Sequence, residues 1–203
     1  MKQVRDNRGT TLAEMIVTFA LIGIFLVAAA GIISSSVILH GNLTSTMHAQ
    51  SVGLTLLDKV SGELAAAQPK GGRSLIIGDG QTAGGSLGEG VVFYDRAGNE
   101  TRGFIREGRL VFAYEESVKV NDRGEVLVSP KREWKLEDKA YMGYQITDMQ
   151  IDKLEDKNIL EISIKIKNLK TGFEYTVSGC TRCYNFKTKA EYAQIVEGNI
   201  LSF

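Results

Sequence analysis

The chain of 203 residues carries 24 Lys and Arg against 24 Asp and Glu, and its basic stub (Lys2, Arg5 and Arg8 against Asp6) leaves the remainder slightly acidic, unlike a general nucleic-acid binder. That length allows one membrane segment plus one domain of roughly 130 residues, with no room for a second enzymatic domain. Two cysteines, Cys180 and Cys183, exclude a multi-bridge secreted scaffold and a four-thiolate zinc site within one chain.

The first predicted element is a membrane helix. From Met15 to Leu57 there is no Asp, Glu, Lys or Arg. Met15 to Val37 would form a helix about 35 Å long, enough to cross a hydrocarbon core of about 30 Å with some tilt. Eleven of residues 15–33 are Leu, Ile, Phe or Val. At about −0.3 to −0.6 kcal/mol each they favour insertion by roughly 3 to 7 kcal/mol. Lys2, Arg5 and Arg8 flank only the N-terminal side, so the positive-inside rule puts the N-terminus in the cytoplasm and exports the bulk of the chain.

Glu14 stands at the threshold of this run. A carboxylate near hydrocarbon costs free energy unless it lies at the interface or is paired. Headgroup depth would accommodate it, and so would the positive end of the helix dipole, worth about 0.3–1 kcal/mol. Its setting is Arg8-Gly9-Thr10-Thr11-Leu12-Ala13-Glu14 followed by the apolar block, and this resembles the type IV pilin family. The resemblance implies cleavage between Gly9 and Thr10 by a prepilin peptidase, N-methylation of Thr10, and a role for Glu14 in filament assembly. Cleavage creates an α-amino cation at Thr10, and Glu14 of a neighbouring subunit would pair with it in a low-dielectric filament core. Thr10 stands where the family most often has Phe or Met, which points to a minor or specialised subunit.

Two other readings of the stretch remain open. The apolar block 15–27 ends at Ala28-Ala29-Ala30-Gly31, a small-residue cleavage site of the kind that closes a secretory signal. Renewed apolar character at Ile32, Ile33, Val37, Ile38 and Leu39 weighs against it. An uncleaved signal anchor with no filament role is the other.

Farther along, Leu39, Leu43, Met47, Leu54, Leu57 and Leu64 recur at helical spacing, while Asn42, Ser45, His48, Ser51, Thr55 and Lys59 fall elsewhere. This predicts that the helix continues outward with that leucine stripe packed on a domain. Pro69, Gly71 and Gly72 stop it, giving one helix from about Thr11 to Gln68. Gly23, Gly31, Gly41, Gly53 and Gly62 interrupt it at about 1 kcal/mol each relative to alanine in water. They read equally as points of close packing or loosening and as residues tolerated by tertiary contacts.

Residues 70–90 hold eight glycines and read as a long connection with one short strand at Ser74 to Ile77. No Gly-Lys-Ser/Thr follows, so a phosphate cradle does not fit. Strand-like runs come next: "VVFYD", "RGFIRE", "RLVFAYE" and "EVLV", with turns at Ala97-Gly98-Asn99, Glu107-Gly108 and Asp122-Arg123-Gly124. In "NILEISIKIKN", Leu160, Ile162, Ile164 and Ile166 alternate with Glu161, Ser163, Lys165 and Lys167, and Phe173, Tyr175 and Val177 repeat the pattern after a turn at Asn168–Gly172. "KAEYAQIVEG" predicts a short helix capped by Gly198.

His40 and His48 both lie on the predicted helix, so a nucleophile in the domain from Pro69 onward has no histidine base. No metal site, cofactor or catalytic residue is predicted, and the chain reads as a non-enzyme. "GCTRC" is open to three readings: redox-active CxxC, partial metal site or structural clamp, with free thiols as the fourth possibility. Outside the cytoplasm a Cys180–Cys183 disulfide is favoured, and some pilins hold their C-terminal region in this way.

The predicted architecture is α+β, a long N-terminal helix, transmembrane in its first half, packed on a C-terminal antiparallel sheet. Its parts are a leader 1–9, a transmembrane or filament-core half-helix 10–38, an outer half 39–68, a Gly-rich loop 69–90 and a sheet domain 91–203. The resemblance implies as partners the prepilin peptidase, other pilin or pseudopilin subunits, an inner-membrane assembly platform and membrane lipid before assembly. Nucleic acid joins them only for a DNA-uptake pseudopilus. The expected location is the cell membrane, then an extracytoplasmic filament.

Overall fold

The computed structural model describes residues 11–72, 74–78, 90–120, 123–124, 126–154 and 157–197. The Gly9–Thr10 bond, the centre of the Gly-rich connection, the Asp122 turn position and Gly198 lie outside them. The chain divides into two compact units, Met1–Ser45 and Thr46–Phe203.

Helix α1, Leu12–Ala65, enters both. It closes with tightened bonds from Ala66 and Ala67 to Glu63 and Leu64, short of the expected Gln68, whose N–H donates instead to the Tyr94 carbonyl at 2.8 Å. In the first unit almost every side chain of α1 is exposed, Leu12, Phe19, Phe25 and Val27 among them. The helix is long and apolar enough near the N-terminus to cross a membrane.

In the second unit α1 buries Ala49, Val52, Gly53, Leu56, Val60 and Leu64. This corrects the leucine stripe expected from the sequence: Leu39, Leu43, Met47 and Leu54 are exposed, Leu57 is partly covered, and only Leu64 lies in the core. The reason is close approach. A side chain at Gly53 would bring its Cβ to 3.1 Å from Val177 Cγ1, so at that point the helix approaches β10 through a glycine, and one turn on Leu57 meets Gly179 of the same strand.

The strands are β1 Leu75–Gly78, β2 Gly90–Tyr94, β3 Glu100–Arg106, β4 Arg109–Tyr114, β5 Ser117–Val120, β6 Val126–Ser129, β7 Arg132–Lys135, β8 Tyr144–Lys153, β9 Ile159–Asn168, β10 Glu174–Arg182 and β11 Ile195–Glu197. They form a six-stranded sheet in the order β11-β1-β2-β3-β4-β7, a three-stranded sheet β10-β9-β8 and a β5–β6 hairpin. All pairs are antiparallel except β1 with β11. The short helix α2, Lys189–Tyr192, carries a complete capping box between Thr188 and Glu191, and the residues after it join β1 as a strand. Leu75 N–H donates to Gln194 O, and the buried Ser74 hydroxyl bonds the Gln194 side chain, which fixes that parallel register.

The β3–β4 hairpin turns on Glu107 and Gly108, with φ of 54° and 71°. Positive φ at both central positions matches the right-handed twist of the flanking strands. In β9 the predicted alternation is present: Leu160, Ile162, Ile164 and Ile166 are fully buried. With Phe93, Phe112, Tyr141, Tyr144 and Phe186 they line one continuous core against α1.

Candidate assembly site

The first turn of α1 is built around two side chains. Glu14 N–H donates to Thr11 Oγ1 at 3.3 Å, and Thr11 N–H donates to Glu14 Oε2 at 3.1 Å. This reciprocal pair is a capping box that satisfies two of the N–H groups a helix start leaves unpaired. The signal for it, Thr-x-x-Glu ahead of an apolar run, was present in the sequence and went unread there.

Glu14 is the only Asp, Glu, Lys or Arg side chain from Thr11 to Leu57. Several of the hydroxyls that follow bond back within the helix. Thr18 Oγ1 donates to the Glu14 carbonyl at 2.8 Å, Ser35 Oγ to Gly31 O at 3.0 Å, and Ser36 Oγ to Ile32 O at 2.9 Å. Such bonding back to residue i−4 removes the main penalty of placing Ser and Thr in an apolar medium. His40 and His48 are both exposed.

Cys180 is exposed at the end of β10 and Cys183 is buried just beyond it, and both are free thiols. The expected clamp is therefore not what this structure shows. Side chains alternate through Cys180 out, Thr181 in, Arg182 out and Cys183 in, so the two sulfurs lie on opposite faces. The chain is held there by asparagines instead. Asn158 Nδ2 donates to the Cys183 and Phe186 carbonyls at 3.0 and 3.1 Å, and Asn185 Nδ2 donates to Ala66 O and Ala67 O, closing the end of α1.

Burial pushes the Cys183 thiol up to about 12, which keeps it protonated and inert at neutral pH. A maleimide at pH 7 is accordingly expected to label one thiol per native chain, at Cys180, and two in denaturant. Mass spectrometry of the labelled peptides checks this, and a chain resistant to any label without reductant would show a bridge.

Elsewhere polar groups serve the core. Lys59 Nζ lies 4.4 Å from the Trp134 ring centroid and 5.5 Å from that of Phe112. The Glu63 carboxylate takes Lys59 and also accepts from the Tyr114 hydroxyl at 2.9 Å. Burial, reinforced by Glu63, raises the Tyr114 pKa. Among the described residues no group of three or more His, Cys, Asp or Glu is placed to hold a metal ion.

The chain is thus an α+β protein with one N-terminal helix long and apolar enough to span a bilayer. No protein-family model, curated protein or solved structure matches it.

Proposed function

We propose that the chain is a type IV pilin-like subunit. It is held in the membrane as a precursor with its N-terminus in the cytoplasm, clipped between Gly9 and Thr10 by a prepilin peptidase and methylated on Thr10. It then packs through residues 10–39 into a thin filament with its sheet domain outside. Its work is assembly, through contacts with other pilin or pseudopilin subunits and a membrane platform.

The observation that supports this reading is Glu14 in the first turn of a helix that is otherwise charge-free, and exposed at all but Ala29, through residue 43. A capping box requires only an oxygen acceptor at that position, and glutamine serves it as well. A negative charge has a further use where a freshly cut α-amino group must be neutralised away from water.

A second reading has its own support. Because Thr11 N–H already donates to the Glu14 carboxylate within one chain, a signal-anchored binding or sensory domain that never polymerises accounts for the same cap. Shearing of cells followed by ultracentrifugation separates the two. The filament reading expects the processed chain in a pelletable, sheared fraction, and recovery solely from membranes as a monomer favours the anchored domain.

A further inference from the structure

The second unit presents a tip bearing exposed lysine and apolar side chains at its Thr46 end. Gly53 faces Val177 and Tyr175, Leu57 faces Gly179, the Ser61 carbonyl accepts from Thr181 Oγ1, and the Ala65 carbonyl accepts from Tyr184 N–H. Helix and β10 therefore run in the same direction. Two strand residues advance about 6.6 Å and four helix residues about 6 Å, so the two stay in step. Counting back from Val177, Glu174 is level with about Thr46.

The turn Asn168–Phe173 lies at that end, beside Met142 and Gly143. Leu169 N–H donates to Gly143 O at 3.3 Å, and Tyr144 pairs with Asn168. Leu169 is 65% exposed and Met142 47% exposed. Met142 holds a left-handed backbone conformation, φ 50°, that sets it in the turn next to Leu169. Around them stand Lys139 and Lys170, both exposed, with no side-chain partner among the described residues. Lys165 and Lys167 share the single carboxylate of Glu174 at 3.0 and 2.9 Å. Of the acids at this end, Glu107, Glu137 and Asp138, the last is engaged by Arg109 at 2.9 Å.

We infer that this tip, Met142 and Leu169 ringed by Lys139, Lys167 and Lys170, docks on an anionic lipid surface. Two exposed apolar side chains supply insertion at headgroup depth, and Lys139 and Lys170, whose side chains have no partner among the described residues, complement negative headgroups. The occupant follows from the chain itself, because only a few residues separate Thr46 from the apolar stretch ending near Leu39. The tether keeps lipid at high effective concentration, so a small patch suffices. The inference rests on the reading of the chain as a membrane-held precursor, and docking would orient its domain until the helix is withdrawn.

The test uses the full 203-residue chain in vesicles of phosphatidylcholine with phosphatidylglycerol, in a Cys180→Ser background. An environment-sensitive fluorophore is placed at Thr171→Cys in the tip or at Tyr184→Cys at the Ala65 end, with headgroup spin-labelled lipid as quencher. Flotation of the vesicles is scored separately. The expected result is flotation of every variant and quenching at residue 171 several-fold stronger than at residue 184. Lys139→Glu with Lys170→Glu should lower the docked-to-free ratio roughly tenfold or more without affecting flotation. Met142→Ser with Leu169→Ser should do likewise. Flotation with equal quenching at both positions overturns the docking inference alone. Failure to float overturns the membrane reading and the docking with it.

Discussion

Glu14→Gln is expected to leave membrane insertion and the first turn of α1 intact while lowering incorporation into sheared filaments at least about tenfold. The amide keeps an oxygen for Thr11 N–H, so the capping box survives. On the filament reading, what is lost is the charge that would stand opposite the Thr10 α-amino group of a neighbour. Leaving a buried cation uncompensated costs about 3–5 kcal/mol, against about 1.4 kcal/mol for each factor of ten. Glu14→Ala and Glu14→Lys should behave similarly or worse. Thr11→Ala makes the opposite cut, because it removes about 1 kcal/mol of capping and preserves the charge, and should assemble nearly as the parent does. Quantitative immunoblots of sheared and membrane fractions read out both. Parental incorporation of Glu14→Gln would mean that the glutamate is a helix cap and nothing more.

Leu56→Ala should destabilise the second unit by about 2–5 kcal/mol, the range for deleting a fully buried leucine side chain. Leu54→Ala, two residues away, should change stability by no more than about 0.5 kcal/mol, since that side chain is 49% exposed. Urea unfolding of the detergent-solubilised chain, followed by Trp134 fluorescence, measures both. The contrast tests which face of α1 meets the sheets. Equal losses at the two positions would contradict the burial of Ala49, Val52, Leu56 and Val60.

That face is also where the sequence misled. A stripe of leucines is a strong signal only if those leucines make the contact, and here Ala49, Val52, Gly53, Leu56 and Val60 make it. Leu39, Leu43, Met47 and Leu54 keep the helical period yet are exposed, and of that stripe only Leu64 lies in the core. Strand β8 was hidden for a different reason. Tyr144 and Ile146 point inward, a bulge between Ile146 and Asp148 shifts the phase, and Met149 and Ile151 then take over the inward face. Its alternation is thus invisible at a fixed period of two. The parallel β1–β11 pair joins segments more than a hundred residues apart, and no local pattern announces it.

By contrast, β9 and the Glu107-Gly108 hairpin were legible, because strict alternation and a turn demanding positive φ are local signals. A helix long and apolar enough to cross a membrane was legible from the charge-free run alone. The sequence left the thiols open between a bridge and free groups, and strand alternation, which sends Cys180 and Cys183 to opposite sides, goes with the free pair.

Cleavage at the Gly9–Thr10 bond is read out by the intact mass and N-terminal sequence of the native mature chain. A pilin-like subunit is expected to begin at Thr10 with a methyl group on its amine. A chain that still begins at Met1, or that begins beyond Ala30, would contradict it.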